Sequence, residues 1–312
     1  MNHQARPSSP AETITAAIIA RLEAGTRPWV QLWNGDPVFR PLRDCGTPYR
    51  GINVLWLWMA GEAAGYSSPY WMTYRQAQQL GAQVRKGERG TLAIFYRAYQ
   101  VEEADEQEDF GSTQTRRVLR SFTVFNACQV DGLPGRFFPE PRPLPSSTER
   151  DQNLDRFFAA IPARVWHHGA EAFYSPETDQ VTMPHPGLFR DRDHYRATLA
   201  HELSHWTGHE SRLARQLEGR FGSEAYAMEE LVAELSSAFL GAELVLPVEH
   251  LDHHASYLAS WLRVLKADSR AILTVAAKAE EAALLLLRLG RGEGADSFGA
   301  DARTENMAVL VA

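Results

Sequence analysis

Two histidines four residues apart, with a glutamate directly after the first, constrain this chain more than any other feature. The stretch is His201-Glu202-Leu203-Ser204-His205, inside HELSHWTGH. On a helix, positions i and i+4 lie on one face about one turn apart. Both imidazoles can therefore reach one zinc ion, and Glu202 sits close enough to act as general base on a water at that ion. A helix is expected around the motif, capped at its start by Asp191 or Asp193 and ended by Gly208. Upstream, Arg164 to His167, Ala172 to Tyr174 and Gln180 to Met183 have the character of short strands. The last of these is expected to be the edge strand that takes a peptide substrate as an added strand.

A catalytic zinc usually has three protein ligands and a water. His209, Glu229, Glu230 and Glu234 are the candidates for the third. Gly208 is expected to break the helix before His209, and eight residues would in any case turn that side chain about 80° away from His201. Position 211, where a third histidine would mark a metzincin, is Ser211. Glu230 and Glu234 share a helical face, while Glu229 points about 100° away. Glu230-Leu231-Val232-Ala233-Glu234 resembles the ExxA(D/N) element of gluzincin-like families. That resemblance implies Glu230 as metal ligand and Glu234 as the carboxylate that hydrogen-bonds a ligand histidine. Tyr174, His209 and Tyr226 are candidates to donate to the oxyanion of the reaction.

The front of the chain has a different character. Net charge is −7, but residues 1–150 carry 17 Arg/Lys against 15 Asp/Glu, and residues 151–312 carry 15 against 24. A basic front on an acidic back points to a polyanionic partner for the front. Trp29, Trp33, Trp56, Trp58 and Trp71 all lie there, with tyrosines and arginines between them. Single-stranded nucleic acid is held by rings that stack on bases and cations that follow phosphates. The side chains expected to do this are Arg50, Asn53, Tyr70, Trp71, Tyr74, Arg75, Arg85, Lys86 and Arg89. The competing expectation for each aromatic is a place in a core.

Periodicity and turn signals predict helices over 11–24, 53–64 and 74–80, the last capped by Thr73. Two strands, 91–101 and 116–131, form a long hairpin whose tip is the acidic run Glu102 to Asp109. Further on, helices are expected over 153–160 and from about Val248 to Leu289. The domain division is a flexible start over 1–10, a front domain over 11–132, a proline-rich linker over 133–150, a metallopeptidase-like domain over 151–290 and a tail over 291–312. Cys45 and Cys128 fit no metal pattern and are expected to be buried thiols in a reducing compartment. The longest apolar run, Ala282 to Leu287, is far short of the roughly 20 residues that span a bilayer. No signal peptide or membrane partner is expected, and the compartment is read as cytoplasmic.

Tyr49-Arg50-Gly51-Ile52-Asn53, Tyr70 to Ala77, Leu80-Gly81 and Val84 to Gly90 resemble, in that order, the N-terminal domain of ArdC-type antirestriction proteins. The HELSHWTGH stretch, Ser211-Arg212-Leu213, Phe221-Gly222, Tyr226 to Glu234, Tyr257 to Leu262 and Asp268 to Lys278 resemble the metallopeptidase-like domain of the same family. The resemblance implies an α+β protein, with a single-stranded-DNA-binding front domain built on a hairpin and a largely helical, zincin-like rear domain with a small sheet. It implies one zinc ion, single-stranded DNA as partner, a protein or peptide as a further substrate, and protection of incoming DNA from host restriction endonucleases. Two rival readings remain: a DNA-binding protein with a structural zinc, and a metallopeptidase whose front domain recognises a protein.

Overall fold

The computed structural model describes residues 8–29, 40–102, 113–139, 147–215, 223–246 and 255–293. The acidic run from 103 to 109, Trp33 and the last nineteen positions of the expected tail lie outside them. The fold is mixed α and β, as the sequence led us to expect.

Helix α1 (Pro10–Glu23) starts from a local signal. Ser9 accepts from the Glu12 N–H, Glu12 accepts from the Ser9 N–H, and Pro10 occupies the first turn. Its Ile14, Ile18 and Leu22 form one fully buried stripe. After the short strand β1 (Leu42–Arg43), Gly51 caps helix α2 (Ile52–Ala64) with φ +56° and ψ −135°, a conformation costly for any side chain. Strand β2 (Tyr70–Met72) leads through Thr73, which makes a second reciprocal cap with Gln76, into α3 (Tyr74–Gln79). A short strand, β3 (Gln83–Val84), follows.

Strands β4 (Thr91–Glu102) and β5 (Thr113–Asn126) form the long hairpin, in register from Thr91 opposite Val124 to Glu102 opposite Thr113. The second strand stops at Asn126, five residues before the expected end. The Asn126 side chain accepts from the Cys128 N–H, and Gln129 accepts from the Asn126 N–H. This turns the chain through one 3-10 turn before β6 (Val130–Asp131), which pairs with β3 instead. The main sheet runs β1-β2-β5-β4. The stretch read as a linker starts with structure of its own: Phe137 is fully buried among Met72, Ala77, Val84 and Val130.

Helix α4 (Ser147–Ala160) begins six residues earlier than expected. Strands β7 (Arg164–His167), β8 (Phe173–Ser175) and β9 (Gln180–Met183) form a second sheet in the order β7-β9-β8. Helices α5 (Arg192–Trp206), α6 (Glu224–Leu244), α7 (Ala255–Ala267) and α8 (Ala271–Gly290) complete the fold. Of the single helical segment expected over 248–289, residues 248–254 lie outside the described ones, and the remainder is divided in two, where Asp268 accepts from the Arg270 N–H. No helix among the described residues is long and apolar enough to cross a membrane.

The largest core draws on both halves of the chain. Ile14, Ile18, Leu55 and Trp58 of the front pack with Leu231, Leu235, Phe239, Trp261 and Ile272 of the rear. Arg40 extends this joint as an ion pair, 2.8 Å from Glu280 and 3.3 Å from Glu243, and Glu280 also accepts from the Gly51 N–H. A second core, with Val181, Met183, Leu199, Leu203, Trp206, Leu240 and Leu286, lies between the small sheet and the helices that carry the site.

Candidate metal centre

Asp191 caps α5 by accepting from the His194 N–H at 2.8 Å, so the helix runs unbroken through the motif to Trp206. Its apolar side, Leu199 and Leu203, is buried beneath the small sheet. Its other side meets α6 closely: the Ser204 hydroxyl donates to that of Ser236 at 3.0 Å. Small side chains at this crossing let the two helices approach, and α6 thereby delivers its acidic face to the histidines.

His201, His205 and Glu230 converge, with one potential ligand atom from each lying within 4.8 Å of the others. The two Nε2 atoms are 3.2 Å apart, and each is 3.7 Å from an oxygen of Glu230. Two imidazole nitrogens and one carboxylate directed at a common point are a donor set suited to zinc and to similar divalent cations.

A further carboxylate, besides the one read in the sequence, supports the histidines. The carboxylate on the outer nitrogen of His205 is Glu229, 3.3 Å from Nδ1. Such a bond fixes the tautomer, leaving Nε2 as the lone-pair donor. Glu229 is in turn held by Arg215, whose Nε and Nη2 lie 3.0 and 2.7 Å from its oxygens. Arg215 also donates to the Ser204 carbonyl and the Thr207 hydroxyl. Arg215 carries no motif signal in the sequence. For Glu229 the signal was available: a carboxylate 100° from Glu230 on the helix faces the side of His205 rather than its tip. Glu234, expected to bond a ligand histidine, accepts from the Trp29 indole N–H at 3.2 Å.

The charges are strongly coupled. Burial raises the Glu202 carboxyl; His201 and His205 oppose that rise, Glu230 adds to it, and a backbone hydrogen bond from Tyr174 opposes it. A carboxylate with a raised proton affinity, buried beside the cluster, is suited to take and return a proton. Burial would also raise Glu230, but its bond to His201, the charges of both histidines and a bond from Tyr226 bring it down to about 2. For Glu229, too, burial is outweighed, by His205 and Arg215. For His201 burial favours the neutral ring, but Glu230, Glu202 and Glu234 together raise its affinity for positive charge. A cluster that attracts a proton this way also attracts a cation.

The three oxyanion candidates are placed differently. The Tyr174 hydroxyl donates to Asp179 at 2.9 Å and lies 3.4 Å from Arg212. His209 Nδ1 lies 2.8 Å from the Ser211 hydroxyl. Tyr226 touches Glu230, and its hydroxyl is 3.2 Å from that of Tyr257.

The expected substrate edge needs correction. Gln180–Met183 is the central strand, hydrogen-bonded to β7 on one side and β8 on the other. It reads as the core-facing strand it is, since Val181 and Met183 are fully buried. Of the two strands that border it, β8 bonds Glu202 through the backbone of Tyr174.

Among the side chains read as DNA contacts, two have other employment. Trp71 is 2% exposed and packs edge-on against Tyr66, so it offers no stacking face. Asn53 bonds the backbone of Ile94 through both ends of its amide, at 2.7 and 2.9 Å, tying α2 to β4. Tyr70 is half-buried against Phe137. Arg50, Tyr74, Arg75, Arg85, Lys86 and Arg89 are exposed. Tyr74, Arg85 and Lys86 line a cleft of about 650 Å³ together with Gln83, Val84, Glu88, Phe125 and Asp131. The cleft shares no residue with the metal cluster. Cys45, expected to be buried, is exposed and bonded to Thr47, and Cys128 is half-buried.

Helix α5 under a three-stranded sheet, with a carboxylate from the next helix completing the cluster, is a zincin-like arrangement, and residues 152–278 match the zincin-like metallopeptidase family. Residues 8–125 match the N-terminal domain of the anti-restriction factor ArdC. The crystal structure of the metal-free antirestriction protein ArdC from plasmid R388 superposes with a TM-score of 0.78 at 41% identity, covering 92% of this chain and all of that one. Its Mn(II)-bound structure gives 0.75 at 40%, over 91% and 98%. The uncharacterised protein y4eC of Sinorhizobium fredii is 44% identical over 89% of this chain and 91% of its own length. DNA primase TraC of Escherichia coli is 39% identical over 86% of this chain, which corresponds to only 19% of that protein. The chain belongs to the ArdC antirestriction family.

Proposed function

We propose that the protein is an antirestriction factor with a working metallopeptidase centre: zinc held by His201, His205 and Glu230, Glu202 as general base, and single-stranded DNA held by the front domain. The observation that carries the catalytic half is the buried Glu202 carboxyl beside three converging ligand atoms. A purely structural zinc site is closed and has no use for such a base. A divalent cation there supplies Lewis acidity, polarising a peptide carbonyl and acidifying the attacking water. Glu202 accepts the proton of that water as the new C–O bond forms, and returns it to the amine as the C–N bond breaks. Strand β8, bonded to Glu202 through Tyr174, is the edge along which an extended peptide aligns. The Mn(II)-bound relative supports a divalent cation at this centre.

The DNA half rests on the family and on the exposed Tyr74, Arg75, Arg85, Lys86 and Arg89. Protection of incoming DNA then combines a grip on the strand with an acting site behind it.

Metal analysis with two variants tests the centre. The purified chain should carry about one zinc, His201→Ala should lose it, and Glu202→Ala should keep it while losing peptide hydrolysis. Full occupancy in His201→Ala, or undiminished hydrolysis in Glu202→Ala, would reject the assignment. For the DNA surface, a Lys86→Ala/Arg89→Ala chain should bind single-stranded DNA less tightly, with a salt dependence shallower by about one or two ions. An unaltered slope would point to another face.

A further inference from the structure

We propose that Trp29, from the front half of the chain, is a positioning residue of the metal centre: its indole N–H fixes Glu234, and thereby tunes how tightly His201, His205 and Glu230 hold a cation. This rests on the metal reading of the site. Glu234 follows Glu230 by one turn of α6 on the same face, and is 1% exposed. Trp29 is equally buried, and its N–H reaches the Glu234 carboxylate at 3.2 Å across 205 residues of sequence. A buried carboxylate needs such donors to stay charged and in place. In a low-dielectric interior its charge acts on its neighbours, His201 among them.

A second route leads from the same residue to the cluster. The Trp29 ring meets Trp261 edge to face, with centroids 5.6 Å apart. Trp261 donates to the Ala227 carbonyl of α6 at 2.9 Å and stacks on Tyr257. Tyr257 meets the Tyr226 hydroxyl, and Tyr226 bonds Glu230. One tryptophan ahead of the front domain's sheet therefore touches the scaffold of one ligand directly and of the same helix through aromatic contacts. Core filling would require only the ring; the aim of the N–H at a buried carboxylate is what points to positioning.

The test separates ring from N–H. Trp29→Phe keeps an aromatic edge against Trp261 and removes the donor. The metal-stripped full chain is titrated with zinc against a competing chelator, and the visible absorption bands of the cobalt-substituted chain are recorded. Trp29→Phe should weaken zinc binding by about tenfold, the lower end for residues that support a ligand, and shift the cobalt bands. Glu234→Gln should do the same, and the double variant should be no weaker than Glu234→Gln alone, because Trp29 acts through Glu234. Trp166→Phe, at an exposed tryptophan, serves as the unaffected control. Should Trp29→Phe fold poorly, Glu234→Gln carries the test from the other end. Unchanged affinity and spectrum in Trp29→Phe or Glu234→Gln, with the parent chain binding zinc, overturns the positioning role alone. A parent chain that binds no divalent cation overturns the metal reading and this inference together.

Discussion

At the scale of single residues, the centre depends on polar groups that sequence spacing does not reveal. Asp179 shows how. It sits at φ +50° in the turn between β8 and β9, a left-handed conformation that a non-glycine residue adopts at a cost. Its carboxylate accepts from the Tyr174 hydroxyl and is paired with Arg212, whose Nη1 is 3.0 Å away. Arg212 in turn donates to the Trp206 carbonyl at the end of the motif helix and lies over the Trp206 ring. Asp179 therefore joins the strand that borders Glu202 to the end of the helix that carries it. The Arg212 bond holds its carboxyl below the usual range against the opposing effect of partial burial, with Tyr174 and the Arg212 and His209 charges assisting. The pH dependence follows from the sign. A carboxylate with a depressed folded pKa contributes stability that is complete above the unfolded value, about 3.9, and is lost as pH falls through the lower folded value. Asp179→Asn should thus flatten the acid limb of the stability profile below about pH 4, while leaving its shape at neutral pH the same. Chemical denaturation across that range would show it, and an identical acid limb would assign the turn's stability elsewhere. Arg215 was hidden for a similar reason, and Glu229 only in part. A 100° offset on a helix excludes a carboxylate from one cluster, but which histidine atom it meets depends on how α5 and α6 cross.

At the scale of elements, local chemistry was legible and partner choice was not. Helix α1 could be read from its periodicity and α3 from its cap at Thr73, which acts within one turn, whereas the Ser9–Glu12 pair that starts α1 came to light only in the structure. The helix of the motif could be read from its cap and its apolar side. Strand order could not, since a short apolar run such as Gln180–Met183 suits a centre as well as an edge. The early end of β5 was likewise set by a side-chain bond at Asn126 that interrupts a pattern otherwise continuous to Asp131. Gly90 is an element-scale constraint that the motif displays without explaining. A methyl group there would lie 2.2 Å from Thr123 Cγ2 and about 3 Å from the Phe125 ring, just where β4 begins to pair with β5. Gly90→Ala should therefore destabilise the chain by about 1–3 kcal/mol through overpacking, and Gly90→Ala/Thr123→Ser, which removes the obstructing methyl, should recover most of it. Denaturant midpoints of the two variants provide the check. An unshifted midpoint for the single variant would mean that the hairpin gives way without cost.

At the scale of the whole molecule, the division into a front and a rear half describes sequence motifs better than it describes packing. Composition and motifs change character near the middle of the chain, and so suggest two cores. Nothing local indicates that Ile14 and Ile18 lie against the same interior as Leu235 and Phe239, because contacts of such separation leave no periodic trace. Arg40 is the polar counterpart of that joint, with Glu280 beside it and both side chains under one-tenth exposed. Removing one member of a buried pair leaves the other charge without compensation, which typically costs about 3–5 kcal/mol. Arg40→Met should therefore lower stability by roughly that amount, although it adds apolar volume and lies far in sequence from α8. More specifically, a shared core makes the halves unfold together. Calorimetry of the parent chain should give one transition whose calorimetric and van't Hoff enthalpies agree, and Arg40→Met should move that transition as a whole. If Arg40→Met instead splits the unfolding into two steps, the halves are autonomous and the joint is an interface between them. A single shifted transition would mean that the front and rear halves form one cooperative body, joined through the core that Ile14 and Ile18 share with Leu235 and Phe239.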